Sequence, residues 1–252
     1  MIRFFVILAK ELRSYFASPI AYIVLAFVMV LGGISFRFAM SILENEPQDA
    51  SLVTLTFGSH WFWMSYFPIF PLLTMRLFSE EKKMGTLETL LTAPVRTSSV
   101  VLAKYVASFL FYAVLWLPSI LNFLIFQTIT DGAAALPPGQ LWGSYVIILL
   151  TGAFHLSIGC LASALTSNQI VAAVMAFVTC LVHFLLGWFV IERGNNVPPE
   201  LVDTVRYFSS VDHFKRFSAG LIDTRPFVYY LTAGGFFLFL TYQVIEFRRW
   251  RS

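Results

Sequence analysis

Residues 76–96 read RLFSEEKKMGTLETLLTAPVR, seven charged side chains within 21 positions, and the chain on either side carries no Asp, Glu, Lys or Arg from Ala50 to Met75 or from Tyr105 to Thr130. An ionised side chain at the centre of a membrane helix costs about 2.5 to 3.5 kcal/mol, so charge-free stretches of this length read as spans and the charged island as the connection between them. Outward from there, charge-free stretches recur from Ser14 to Phe36, Gly132 to Ile191 and Pro226 to Ile245. The second of these is long enough for two spans at about 20 residues each, with its break at Thr166, Ser167 and Asn168. The sequence therefore predicts an all-α membrane protein with six transmembrane helices, near residues 18–38, 55–75, 104–128, 142–164, 169–191 and 227–246.

Composition agrees. Of 252 residues, 58% are hydrophobic and 12% charged, and mean hydropathy is +0.76, whereas soluble domains run near 45 to 50% apolar and about 25% charged. Aromatics make up 17%, with 27 Phe, which suits lipid-facing surfaces and interfacial belts. A formal charge of +3, dispersed along the chain, excludes a nucleic-acid footprint, and no nucleic-acid partner is expected. Cys160 and Cys180 lie inside apolar runs and read as small buried hydrophobes rather than as a disulfide or metal pair.

Basic residues set the orientation. An even span count puts both termini on one side, with Arg3, Lys10, Arg13, Arg76, Lys82, Lys83, Arg96, Lys104, Arg248, Arg249 and Arg251, eleven against six opposite. The richer side is predicted to be the cytoplasm. At the start, Phe4, Phe5, Leu8, Leu12, Tyr15 and Phe16 share one helical face, with Arg3, Lys10 and Arg13 on the other. That pattern predicts an interfacial helix over residues 1–17. Its apolar run is too short for a secretory h-region, so no cleavage is expected.

Within the charged island, span two is expected to run on through Glu80, Glu81 and Lys82 and to stop at Gly85 in the left-handed conformation. Thr86 then caps a short helix with Glu88 in its first turn, Leu87, Leu90 and Leu91 as an apolar stripe, and Pro94 as its stop. Such an element carries no chemistry but offers a handle to another protein. Residues 192–226, after Pro198 and Pro199, predict short amphipathic helices on the outer side, read either as a re-entrant cap or as interfacial helices, with Pro226 opening span six. His60, His155 and His183 are the ionisable groups expected within or beside the spans, read as neutral and satisfied by helix contacts, with a substrate or proton role as the alternative. Asn122 and Gln127 are expected to hydrogen-bond between helices, and Pro68, Pro71 and Pro118 to bend spans two and three. No catalytic or metal site is expected, since no nucleophile with a base, paired carboxylates or metal spacing is visible.

The run from Glu80 to Pro94 resembles the ABC-2 class of ATP-binding-cassette transporter permeases. Asp212, His213 and Phe214, with Gly220, Leu221, Ile222 and Asp223, and the tail from Glu246 to Trp250 resemble the bacterial subgroup containing the gliding-motility and nitrous-oxide-reductase maturation permeases. The resemblance implies one transmembrane domain over residues 1–252: an elbow helix at 1–17, spans one to five within 18–191, an outer segment at 192–226, and span six with a basic tail at 227–252. It also implies a dimer with a second copy or paralogue, outward transport across the bacterial inner membrane, and a cytoplasmic ATPase docking on the loop helix as a coupling helix. The chain itself would bind no cofactor, with ATP and Mg2+ held by that partner. The absence of any G-x-x-x-x-G-K-[ST] phosphate loop agrees with a borrowed energy source. Two other functions remain open on sequence: a non-transporting membrane scaffold, and a secondary transporter, which is disfavoured because no Asp, Glu, Lys or Arg falls at an expected span centre.

Overall fold

The computed structural model describes residues 2–45, 50–92, 95–131, 136–193 and 199–249. The described residues are helical, with no strand. α1 (Ile2–Ala17) gives way at Ser18, and Pro19, whose missing N–H costs nothing in a first turn, opens α2 (Pro19–Asn45). The expected second span is two helices, α3 (Leu52–Gly58) and α4 (His60–Thr74). Ser59 ends the first and caps the second, its Oγ accepting from Phe62 N at 3.2 Å. The Thr56 carbonyl near this break receives the Ser35 hydroxyl of α2 at 2.6 Å, so a backbone group that lipid could not satisfy is met by a neighbouring helix.

Span two does not continue through the charged run as the sequence suggested. α4 ends at Thr74, residues 75–78 turn, and a five-residue α5 (Ser79–Lys83) follows. Ser163 explains the break. Its Oγ accepts from Phe78 N at 3.0 Å and Ser79 N at 3.1 Å and donates to Met75 O at 3.3 Å, using the full capacity of a hydroxyl on the groups freed by the interruption. α6 (Thr86–Thr92) comes next. The third span begins earlier than expected, as α7 (Thr97–Leu115), and breaks at Trp116 into α8 (Leu117–Ile129), where Pro118 lies in the first turn.

α9 (Pro138–Leu165) and α10 (Gln169–Arg193) follow, with Asn168 Oδ1 capping α10 by accepting from Ile170 N at 2.9 Å. The outer segment holds α11 (Pro199–Phe208) and α12 (Ser210–Ser218), and α13 (Arg225–Arg249) completes the chain with Pro226 in its first turn. Among the described residues four helical stretches are long and apolar enough to cross a membrane: Pro19–Asn45, Thr97–Ile129, Pro138–Leu165 and Arg225–Arg248. α10 is apolar over Gln169–Leu185, and the broken α3 and α4 make the remaining apolar pair.

α9 is the centre of the bundle, packed by α4, α7, α10, α12 and α13. Its sequence is apolar or small all round, as burial on every side requires, and its glycines admit the neighbours. The Tyr112 ring of α7 occupies the place a side chain would take at Gly152, and Thr74 of α4 does so at Gly159. Gly234 of α13 likewise approaches α9, whereas Gly32, Gly33 and Gly235 face no atom within 4 Å. Asn122 and Gln127, expected between helices, make no side-chain hydrogen bond among the described residues because α8 lies at the periphery.

Gly152→Ala forces its Cβ into the buried Tyr112 ring and is expected to cost about 1 to 3 kcal/mol. Gly33→Ala, in open space, is expected to be neutral or to stabilise by up to about 1 kcal/mol. Thermal unfolding of the detergent-solubilised protein, followed by tryptophan fluorescence, checks both; equal midpoints would contradict the packing.

Candidate functional site

The charged segment folds back onto the bundle as a short hairpin of helices. Gly85 adopts φ +71°, the left-handed conformation expected of it. Thr86 opens α6 and its hydroxyl reaches Glu81 O at 3.4 Å. Leu87 is buried with Leu77, Phe78, Val101 and Ile245, and Leu90 packs on Ile7, Val100 and Ala103. Lys83, Met84, Thr86, Glu88, Thr89 and Thr92 are exposed. The helix thus shows Leu87 and Leu90 to the protein and a polar surface outward. The Leu91 side chain and Pro94 lie outside the described residues.

The carboxylates and lysines of the run divide between this surface and the interior. Lys82 donates to Ala164 O at the C-terminal end of α9, where the helix carries partial negative charge. Burial, then the nearby Arg248, lowers its pKa to about 8. Glu80 pairs loosely with Arg76, at 4.0 Å. Glu81 turns inward. Its Oε1 accepts from Lys104 Nζ at 2.9 Å, the same ammonium donates to Glu11 Oε1 at 2.9 Å, and Lys10 stands 3.6 Å from both carboxylates. The Lys104 side chain is 2% exposed, against 11% for Glu11 and 13% for Glu81.

Neither Glu11 nor Lys104 was singled out from the sequence as a site residue. The expected third span opens at Lys104, whereas α7 begins at Thr97, two turns before it; the Thr97, Ser98, Ser99 run after Pro94 is the helix-start signal the sequence offers. On α1 the inward stripe is Phe4, Ile7, Leu8, Glu11 and Tyr15, with Phe5, Val6 and Phe16 exposed, which shifts the expected apolar face. Arg3, Lys10 and Arg13 are exposed as expected. Tyr15 donates to Leu73 O at 2.7 Å, so α1 is fixed to both α7 and α4.

At the opposite end, Asp212 lies in the first turn of α12 with its N–H donated to Ser209 Oγ and its carboxylate accepting from Arg216 Nε at 2.7 Å. Phe214 is buried against Phe62, Trp63 and Tyr66, which sets α12 into the core rather than on the surface. Gly220 takes φ +82° and Asp223 accepts from Arg225 N, shaping the entry to α13. His213 Nδ1 meets Tyr230 OH at 2.9 Å, and burial pushes its imidazole down to about 4. Tyr230 reaches Ser210, Ser210 reaches His183 at 3.5 Å, and His183 meets His155 at 3.2 Å. The structure thus joins His155 and His183 to the outer segment and leaves His60 exposed at the start of α4. No group of three His, Cys, Asp or Glu able to hold a metal occurs among the described residues.

The sequence matches the model for "ABC-2 family transporter protein" over residues 12–183, more than half of the chain. The chain belongs to the ABC-2 transporter family. No curated protein matches it. As an ABC-2 protein it is a multi-pass membrane component of an ATP-binding-cassette transporter, and the family implies a partner ATPase. The matched region includes α1 from Leu12, the hairpin and α9, and stops within α10.

Lys104→Met leaves Glu11 and Glu81 facing each other in a buried site, and removing one partner of such a pair costs about 3 to 5 kcal/mol. The triple variant Glu11→Gln, Glu81→Gln, Lys104→Met is expected to recover much of that loss. Thermal midpoints of the purified variants decide it; a single variant as stable as the wild type would show that the triad contributes nothing.

Proposed function

We propose that the chain is the permease subunit of an ABC exporter, crossing the bacterial inner membrane six times with both termini in the cytoplasm and working as a dimer with a second copy or a paralogue. The six crossings are α2, the α3–α4 pair, the α7–α8 pair, α9, α10 and α13. Eleven of 17 basic residues then lie on the cytoplasmic side. α1 acts as the elbow helix, α6 as the coupling helix, and α11 with α12 as an outer cap over the exit. The substrate moves outward, driven by a separate ATPase that carries ATP and Mg2+.

The observation that supports this reading most is the split personality of the hairpin. Its outer surface, with Met84, Glu88 and Thr89, is free for a partner, while its base is fastened by Leu87, Leu90, Lys82 and the Glu81–Lys104–Glu11 triad. Force applied to α6 would reach α9 through Lys82 and Ser163, and α1 and α7 through the triad. A rigid handle fixed to several spans can rearrange them together between inward-closed and outward-open arrangements.

Glu88→Arg, on the exposed face, is expected to leave expression and thermal midpoint unchanged while weakening copurification of the cognate ATPase about tenfold, the effect of roughly 1.4 kcal/mol at a hot spot. Full ATPase binding and an unaltered hydrolysis rate in the reconstituted complex would overturn the handle role.

A further inference from the structure

A cleft of about 280 Å3 opens between α1, α2 and the α4–α5 turn, near the lower end of ligand-pocket size, roughly 300 Å3. Its chemistry is divided. One wall is apolar, with Ile20, Val24 and Leu72, and the other is charged, with Lys10, Arg76, Glu80 and the Glu11–Lys104–Glu81 triad. The Lys10, Arg76 and Glu80 side chains are 66%, 44% and 40% exposed, and their ion pairs are long, 3.6 to 4.0 Å, leaving donors and acceptors to spare. Glu81 Oε2 is enclosed and has no hydrogen-bond partner. A buried acceptor in this state is costly unless a donor reaches it. The cleft lies where α1, with Phe5, Val6 and Phe16 exposed, meets the first turns of α2, at the boundary of apolar and charged surface.

We propose that this cleft binds a phospholipid whose headgroup carries both a phosphate and a primary ammonium, with Arg76 and Lys10 taking the phosphate, Glu80 and Glu81 taking the ammonium, and an acyl chain lying along Ile20 and Val24. Three cations, Lys10, Arg76 and Lys104, balance three carboxylates, Glu11, Glu80 and Glu81, around the cleft, which selects a zwitterion over an anionic headgroup. The orphan oxygen of Glu81 selects N–H donors over a quaternary ammonium, which has none; the carboxylate needs to turn toward the cleft to accept one. The apolar wall selects a lipid over its soluble headgroup. A lipid so placed touches α1, α2 and α5 together and ties the hairpin to its membrane surroundings. This site is independent of the substrate, the direction of transport and the identity of the ATPase.

The test uses the full chain in detergent, with phosphatidylethanolamine, phosphatidylcholine and phosphatidylglycerol of identical acyl chains added back, read by native mass spectrometry for retained lipid and by thermal midpoint. Retention of one phosphatidylethanolamine about tenfold more strongly than either other lipid is expected, the worth of one charge-assisted hydrogen bond. Arg76→Gln with Glu80→Gln should weaken retention of phosphatidylethanolamine while leaving the lipid-free midpoint unchanged. Equal retention of the three lipids, preference for phosphatidylglycerol, or undiminished retention of phosphatidylethanolamine in the double variant would overturn the site. Stabilisation by soluble glycerophosphoethanolamine to the same extent would overturn the lipid assignment.

Discussion

Lys104 carries its charge to the interior end of a flexible stem, and the fold has to meet that charge where water does not. Two carboxylates from distant parts of the sequence do so, Glu11 on α1 and Glu81 on α5, each 2.9 Å away. An unpaired ammonium in such a place would cost several kcal/mol, so the three helices cannot separate independently. Coulomb attraction thereby supplies what apolar packing cannot in this solvent. Lipid tails are as apolar as Leu, and helices in a bilayer need close fit or polar contacts to hold a particular arrangement.

The rest of the bundle obeys the same requirement. Where the backbone breaks, a hydroxyl from another helix answers it: Ser35 at the α3–α4 junction and Ser163 at the α4–α5 turn. Where helices must approach, glycines on α9 admit Tyr112 and Thr74. Tyr66 and Thr151 share a hydrogen bond between α4 and α9 at 2.5 Å. These contacts make α9 the element through which a displacement of the charged hairpin would spread, since Lys82 holds its Ala164 carbonyl, its own Ser163 holds the α4–α5 turn, and its His155 and Phe154 connect its middle to α10 and α13.

Much of this was legible in the sequence. Charge-free length located the four helical stretches that are long and apolar enough to cross a membrane, and Gly85 announced its positive φ because a glycine between a charged run and a Thr-x-Glu start has few other uses. The inward Leu87 and Leu90 of α6 followed from their spacing. What escaped was whatever depended on a partner from elsewhere in the chain. Continuous apolar stretches do not reveal the breaks at Ser59 and at residues 75–78, because the serine that satisfies the second lies more than 80 residues away. Lys104 looked like a solvated flank because its carboxylates come from α1 and α5, and the outward polarity of Arg3, Lys10 and Arg13 concealed that Glu11, on the same helix, faces in.

The central claim is that the Glu11–Lys104–Glu81 triad holds α1 and the α5–α6 hairpin as one unit on the bundle. Hydrogen–deuterium exchange of the full-length protein, wild type against Lys104→Met, tests it most directly. Faster exchange in residues 2–17 and 79–92 together, with α9 unchanged, is the predicted result. Exchange unchanged in both segments, or raised in only one of them, would contradict it.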